Sequence, residues 1–392
     1  MVNTSAKGPT SMDAKRSGTE SVVERRGPSE GEHKSRLRQI LQQALELEAS
    51  DVHLIPGYPA SLRIHGRIQP GTDAPLDLDE IVQMLRDLAP TRWRDDAADR
   101  TDFDFSVTVP QRGAACRFRA SVYVAQERWS ACLRHIPDVI PSLEWLGFPE
   151  ELANRLVSYT NGLVVVTGVS GCGKTATLSA LVSLIRQDIT RRVLTVEEPI
   201  EYVHLPGLGG IISQREVGRD VPSFADGLKH GLRQDPDVIL VGEIRDRQTA
   251  QMALSAAETG HLILTTMHTR DAKGAVSRLV DLFPQEVQED IRKQVAMSLR
   301  SVVCQHLLLS VEEGEKRALA LEVLHVNQQV RVAIRTGKLE SIDSAIQTGK
   351  RDGMVLLDDD LRRLVGLGKI SVETARRFAQ EPDSVRASGT SW

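Results

Sequence analysis

Aromatic side chains are scarce, at 4% of the 392 residues. A surface that stacks unpaired bases depends on them, so this composition argues against a reader of single-stranded nucleic acid. A basic surplus is missing too. Lys and Arg number 49 against 53 Asp and Glu, a formal net charge of −4, whereas proteins that coat nucleic acid carry excess positive charge. The four cysteines, Cys116, Cys132, Cys172 and Cys304, stand far apart and form no CxxC pair. That spacing speaks against a zinc ribbon or a disulfide framework and fits a reducing compartment. No apolar run approaches the ~18 residues of a membrane-spanning helix. The first eighteen residues lack the apolar stretch of a secretory signal, so the expected setting is cytoplasmic. What is present is a 41% hydrophobic share, enough material for cored domains, of which this length suggests two or three.

Residues 1–34 are rich in Ser, Gly, Glu, Lys and Arg and read as a disordered tail. From Ser35 the apolar residues Leu37, Ile40, Leu41, Ala44 and Leu45 recur at helical spacing. Alternating stretches follow at Val52–Leu54, Leu62–Ile68, Asp102–Phe105, Cys116–Val122 and Trp129–Arg134, the pattern of half-buried strands. Residues 35–136 are thus expected to form a small α+β domain. The proline-bearing stretch after Ile136 reads as a linker over 137–148. Over 149–381 near-continuous apolar runs alternate with helical stretches. Leu163–Thr167, Arg192–Val196, Val238–Val241 and Leu262–Thr266 have the character of parallel strands buried on both faces. Beyond Asp290 the chain reads as mostly helical, Leu299–Leu309 included, and residues 382–392 read as a second tail.

Gly168-Val-Ser-Gly-Cys-Gly-Lys-Thr175 fits G-x-x-x-x-G-K-[ST], and it runs from an apolar strand into a helical stretch. That order is what a phosphate cradle requires. Glycines let backbone N–H groups turn inward, and the helix N-terminus adds favourable partial charge. Gly168, Ser170, Gly171, Cys172, Gly173, Lys174, Thr175 and Ala176 are the expected nucleotide-binding residues, although the Cys172 side chain carries no expected role. Lys174 should reach the β and γ phosphates of a nucleoside triphosphate and the Thr175 hydroxyl should ligate Mg²⁺.

Glu243 ends the apolar strand Val238–Val241, where a carboxylate can orient the attacking water. Asp237, before that strand, reads as a turn residue. Glu197, Glu198 and Glu201 crowd the end of another strand and repel one another unless cations sit among them. His261 and His268 flank the next strand seven residues apart, too poorly aligned to share a metal. One of them could sense the nucleotide or reach a neighbouring subunit.

This combination resembles the bacterial secretion and pilus ATPases, and most closely the PilT-like twitching-motility ATPases. Gly168–Thr175 resembles Walker A, Thr195–Tyr202 the Asp box, Leu232–Asp246 the Walker B segment and Thr259–Thr269 the His box. Smaller matches at Ala49–Leu54, Gln214–Gly218 and Ser344–Gly349 extend the similarity from about residue 37 to 381. The resemblance implies a hexameric ring whose subunits pair an N-terminal PAS-like domain with a C-terminal RecA-like P-loop ATPase domain. It also implies catalytic roles for Lys174, Glu243, Glu197, Glu201, His261 and His268. Arg119 and Arg134, with Arg117 as a third candidate, would reach the γ-phosphate from the N-terminal domain. The implied partners are a membrane platform protein at the pilus base and paralogous pilus ATPases, with no nucleic acid. Two positions depart from the family. Glu198 replaces an aspartate, and Gln329–Ile334 stands where retraction ATPases carry Ala-Ile-Arg-Asn-Leu-Ile, keeping Arg331 and Ile334. The second departure leaves an accessory retraction subunit with weak turnover as an alternative. Pilus-extension and type II secretion ATPases are a further alternative, but they usually add an N-terminal domain and a four-cysteine metal site.

Overall fold

The computed structural model describes residues 30–64, 67–88, 101–111, 114–136, 139–207, 209–311 and 316–385. The tail expected over residues 1–34 lies outside these up to residue 29. At Glu30 a helix already begins, α1 (Glu30–Glu46).

Leu37, Ile40, Leu41 and Ala44 on α1 fall on one stripe and are buried. With α2 (Leu78–Leu88), entered through a cap in which the Glu80 amide donates to Asp77 Oδ1 at 2.7 Å, this helix covers one face of a six-stranded sheet. Its strands are β1 (Asp51–Leu54), β2 (Pro59–Ile64), β3 (Arg67–Pro75), β4 (Asp102–Gln111), β5 (Ala114–Ala125) and β6 (Arg128–Ile136). They run antiparallel in the order β3-β2-β1-β6-β5-β4. Period-two alternation sends Val52, Leu62, Phe118, Ala120 and Leu133 into the core under the helices. The opposite face is polar. There the register lines up Arg63, Asp51, Arg134, Arg119 and Ser106 across five strands.

The stretch read as a linker holds a short helix, α3 (Leu143–Leu146), capped by Ser142; Pro137 and Asp138 lie outside the described residues. Next come α4 (Glu150–Ser158), β7 (Gly162–Thr167), α5 (Lys174–Ile185), β8 (Val193–Glu197), β9 (Ile212–Glu216), α6 (Phe224–Gly231) and β10 (Val238–Val241). After these follow α7 (Arg247–Glu258), β11 (Leu262–Met267), α8 (Ala272–Asp281), α9 (Gln288–Ser298), β12 (Leu299–Leu308) and β13 (Ala318–His325). The chain closes with α10 (Gln328–Thr336), α11 (Ser341–Thr348), α12 (Leu357–Gly366) and α13 (Val372–Phe378).

β7 to β13 form one sheet in the order β13-β12-β7-β11-β10-β8-β9. It is parallel except for β13, which runs antiparallel to β12. Helices cover both faces. Leu163 and Val165 of β7 point into one core, and Val164 and Val166 into the other.

Leu299–Leu308 corrects the expected helix. It is strand β12, wedged between β7 and β13 and buried on both faces, so its apolar residues show no period that separates strand from helix. The described part of the expected C-terminal tail is packed as well. Residues Pro382–Ser384 form a 3₁₀ turn, and Val385 is fully buried; residues 386–392 lie outside the description.

Candidate active site

The sheet order around β7 reverses direction of travel, and the crevice at the carboxyl ends of such strands is where ligands bind in open α/β sheets. The loop leaving β7 turns through three glycines with positive φ: Gly168 at 143°, Gly171 at 80° and Gly173 at 89°. Gly168 is confined as well as turned, because a Cβ there would lie 2.5 Å from the Gln305 carbonyl oxygen. The loop delivers the chain to α5. Ser223, Asp246, Asp271, Asn327 and Ser371 cap other helices with their side chains, but α5 starts at Gly173 with no side-chain cap. Its first N–H groups are therefore free to meet an anion.

A cavity of about 660 Å³ opens over this loop. Ser170, Gly171, Gly173, Lys174, Thr175 and Ala176 line it from below. The Lys174 ammonium is buried and rests on the carbonyls of Gly168 and Val169, at 2.8 and 3.2 Å. Burial pushes its pKa down, partly opposed by nearby acids including Glu243 and Glu201. The Thr175 hydroxyl lines the cavity and makes no hydrogen bond among the described residues. Cys172 is buried beneath the loop and does not line the cavity.

Glu243 stands just past β10. Its Oε2 meets Arg245 Nε at 2.6 Å and His268 Nε2 at 3.2 Å. His268 has its pKa pushed down by burial and by the Lys174 charge, so it is largely neutral near pH 7. His261 is not part of the arrangement. It precedes β11, whose six residues put roughly 20 Å between the two histidines at ~3.3 Å per residue. Its Nδ1 lies 3.1 Å from the Ala256 carbonyl instead.

Glu197, at the end of β8, accepts from Thr195 Oγ1 at 2.6 Å and from Gln214 Nε2 at 3.2 Å. Burial pushes its carboxyl up to about 7. Glu198 and Glu201 also line the cavity. Among the described residues no group of three or more His, Cys, Asp or Glu side chains could hold a metal unaided. The three glutamates therefore do not make a metal cluster on their own. The set fits Mg²⁺ taken up together with phosphate oxygens, the usual mode for this ion.

The polar face of the six-stranded sheet closes the cavity from above. Arg119 and Arg134 are cross-strand neighbours. Like charges so placed repel, unless an anion lies between them. Arg134 lines the cavity and donates its Nε to Asp51 Oδ1 at 2.8 Å. Burial works to raise the Asp51 carboxyl, but hydrogen bonds from Arg134 and Ser50 outweigh it and hold it below its ordinary value. Arg119 lies 3.8 Å from both Asp104 and Glu201. Arg117 does not line the cavity; its Nη1 donates to the Glu201 carbonyl at 3.0 Å, and Ser106 Oγ donates to the buried Glu216 at 2.8 Å. The second of these bonds joins β4 to β9, and the first joins β5 to the loop after β8.

Two residues not singled out from the sequence, Asp51 and Arg245, pair with Arg134 and Glu243. The signal for Asp51 is register, which sets it opposite Arg134 on the polar face; that for Arg245 is its place two residues after Glu243.

Fold and cradle together define a P-loop ATPase of the secretion type. The family described as Type II/IV secretion system protein matches residues 29–391, and the chain belongs to it. It is 37% identical over 348 residues to the type IV pilus retraction ATPase PilT of Pseudomonas aeruginosa, covering 89% of this chain and 99% of that one. It is 39% identical over 334 residues to the uncharacterized protein YggR of Escherichia coli, covering 85% and 99%. Among solved structures, that of the pilus retraction motor PilT with bound ADP matches with a TM-score of 0.78 at 36% identity, covering 89% of this chain and 98% of the other.

Proposed function

We propose that this protein is a hexameric ATPase motor that retracts type IV pili. The observation that carries the reading is convergence: Lys174 and Thr175, the carboxylate of Glu243, and the paired Arg119 and Arg134 all line one cavity. In this reading residues 35–136 are a PAS-like domain and 149–381 a RecA-like one, with ATP between them. Lys174 would exchange its loop carbonyls for phosphate oxygens, while the loop and α5 amides hold the phosphate chain. Mg²⁺, held through Thr175 and the phosphates, would neutralise charge as the γ-phosphoryl leaves. Glu243 would orient the water and accept its proton. Arg119 and Arg134 would spread over the γ-phosphate oxygens once the polar sheet closes down, as planar, permanently charged donors. Closure and opening around the ring would then do work on a membrane platform at the pilus base. Paralogous pilus ATPases are candidate partners, and the cytoplasmic face of the inner membrane is the proposed location.

Lys174→Ala should abolish ATP turnover; undiminished hydrolysis in that variant removes the enzymatic reading. Deleting the gene in its host should leave long pili that do not retract, whereas cells without pili would assign the motor to assembly.

A further inference from the structure

Away from the cradle lies a second cavity, of about 1180 Å³, which shares no lining residue with the first. Its floor is one face of β13. Leu319, Leu321, Val323 and His325 alternate onto that face. β13 is the outermost strand of its sheet. Its outer edge pairs at Val323, which exchanges two backbone hydrogen bonds with Val355, at 2.8 and 3.0 Å. α4 supplies one wall through Leu152 and Arg155, and the turn before α12 supplies the other.

The polar end of this cavity is chemically incomplete. His325 is 3% exposed, and its Nδ1 lies 2.8 Å from Ser301 Oγ, which in turn lies 3.1 Å from the Tyr159 hydroxyl. Nε2 faces the cavity and makes no hydrogen bond among the described residues. When Tyr159 donates to Ser301 and Ser301 to Nδ1, the ring proton sits on Nε2; the reverse order of donation makes Nε2 an acceptor. Burial, reinforced by the Arg155 charge, lowers the ring pKa to about 4, so the imidazole is neutral. Arg155 gives Nη1 to the Asp352 carbonyl and pairs with no carboxylate among the described residues. A methyl group built on Gly353 would lie 3.7 Å from Arg155 Nη1 and 3.7 Å from His325 Nε2. Two nitrogens thus border one space that glycine leaves open, and with the ring proton on Nε2 both can donate into it.

The neighbouring charges narrow the ligand. Lys350 is matched by Asp359 and Arg363 by Asp360. Arg351 and the carboxylates of Glu151 and Asp352 stand exposed at the rim. Arg155 and Arg351 against Glu151 and Asp352 sum to zero, which tolerates one added negative charge better than a phosphate's two. A carboxylate offers one oxygen to each of the two donors and carries a single charge. The apolar floor calls for a greasy body behind that head.

We propose that this cavity binds a small amphipathic carboxylate, its head between Arg155 and His325 and its aliphatic or aromatic body along Leu319, Leu321 and Val323. The probe is sodium octanoate, titrated calorimetrically into the full chain, with 1-octanol and octyl phosphate as head-group controls. The expected result is saturable one-site binding of octanoate, weakened at least tenfold by Arg155→Gln and by His325→Phe. Arg155 is exposed, so its variant keeps the test valid where His325→Phe fails to fold. Lys174→Ala should leave octanoate binding intact, which separates this site from the nucleotide reading. Non-saturable octanoate heats, unaltered affinity in Arg155→Gln, or equal or tighter binding of octanol or octyl phosphate would overturn the proposal.

Discussion

Glu197 offers a test that needs no nucleotide. Its carboxyl sits at about 7 rather than the ordinary 4.5 because burial disfavours the charged form more than the Thr195 and Gln214 hydrogen bonds favour it. The folded chain therefore holds the proton more tightly than the unfolded chain. The stabilising effect of that proton is complete below 4.5, declines as pH rises, and is gone above about 7. At ~1.4 kcal/mol per pH unit, the span from 4.5 to about 7 amounts to roughly 3 kcal/mol of stability. Glu197→Gln keeps the shape and removes the titration. Its stability relative to the parent should climb by about that amount between pH 4.5 and 7, then level off. Taking the difference cancels the other shifted groups, Glu322, His204 and His325, because they titrate alike in both proteins. Denaturant unfolding of both, without nucleotide or Mg²⁺, measures the gap. A gap that stays flat from pH 5 to 8, or that moves against the variant, refutes the linkage.

Other outcomes follow from the geometry. Asp51→Asn leaves an oxygen to accept from Arg134 Nε but takes away its negative charge; the maximal ATPase rate should fall about tenfold, the loss of charge assistance in that hydrogen bond, while affinity for a fluorescent nucleotide holds and Asp51→Glu recovers part of the rate. Gly168→Ala sets a methyl against the Gln305 carbonyl at 2.5 Å and forces φ 143° on a residue with a side chain; nucleotide affinity should fall at least tenfold, measured by fluorescence titration.

The cradle was legible because its chemistry is local: Gly168–Thr175 lies on one stretch of chain, between a strand and a helix that its flanks already announce. Glu243 was legible for the same reason, at the end of the four-residue strand β10. What stayed hidden depends on neighbours distant in the chain. β12 reads as a helix by composition and becomes a strand because β7 and β13 lie on either side of it. His261 and His268 look alike in sequence, yet β11 carries one to the cavity and leaves the other at the far end. The link between Asp51 and Arg134 spans 83 positions and exists only once β1 and β6 are paired. The boundary at Ser35 fell short because the first turn of α1 carries charged residues rather than apolar ones.

The two arginines that reach the cavity from the polar sheet already have partners, and these partners differ in strength. Arg134 makes a 2.8 Å hydrogen bond to a buried carboxylate, whereas Arg119 stands 3.8 Å from two partly exposed ones, Asp104 and Glu201. Long, solvent-screened pairs of that kind contribute about 1 kcal/mol or less each. Arg119 is therefore the arginine that an arriving phosphate can recruit at least cost, and Asp104 competes with the phosphate for it. Asp104 donates nothing to the cradle itself, so weakening it should help rather than harm. Asp104→Asn is expected to lower KM for ATP two- to fivefold, the kinetic equivalent of up to about 1 kcal/mol, with the maximal rate nearly unchanged. Steady-state kinetics at low salt reads this directly, because screening is weakest there. A KM that stays put or rises would mean that Asp104 positions Arg119 for the phosphate instead of holding it away.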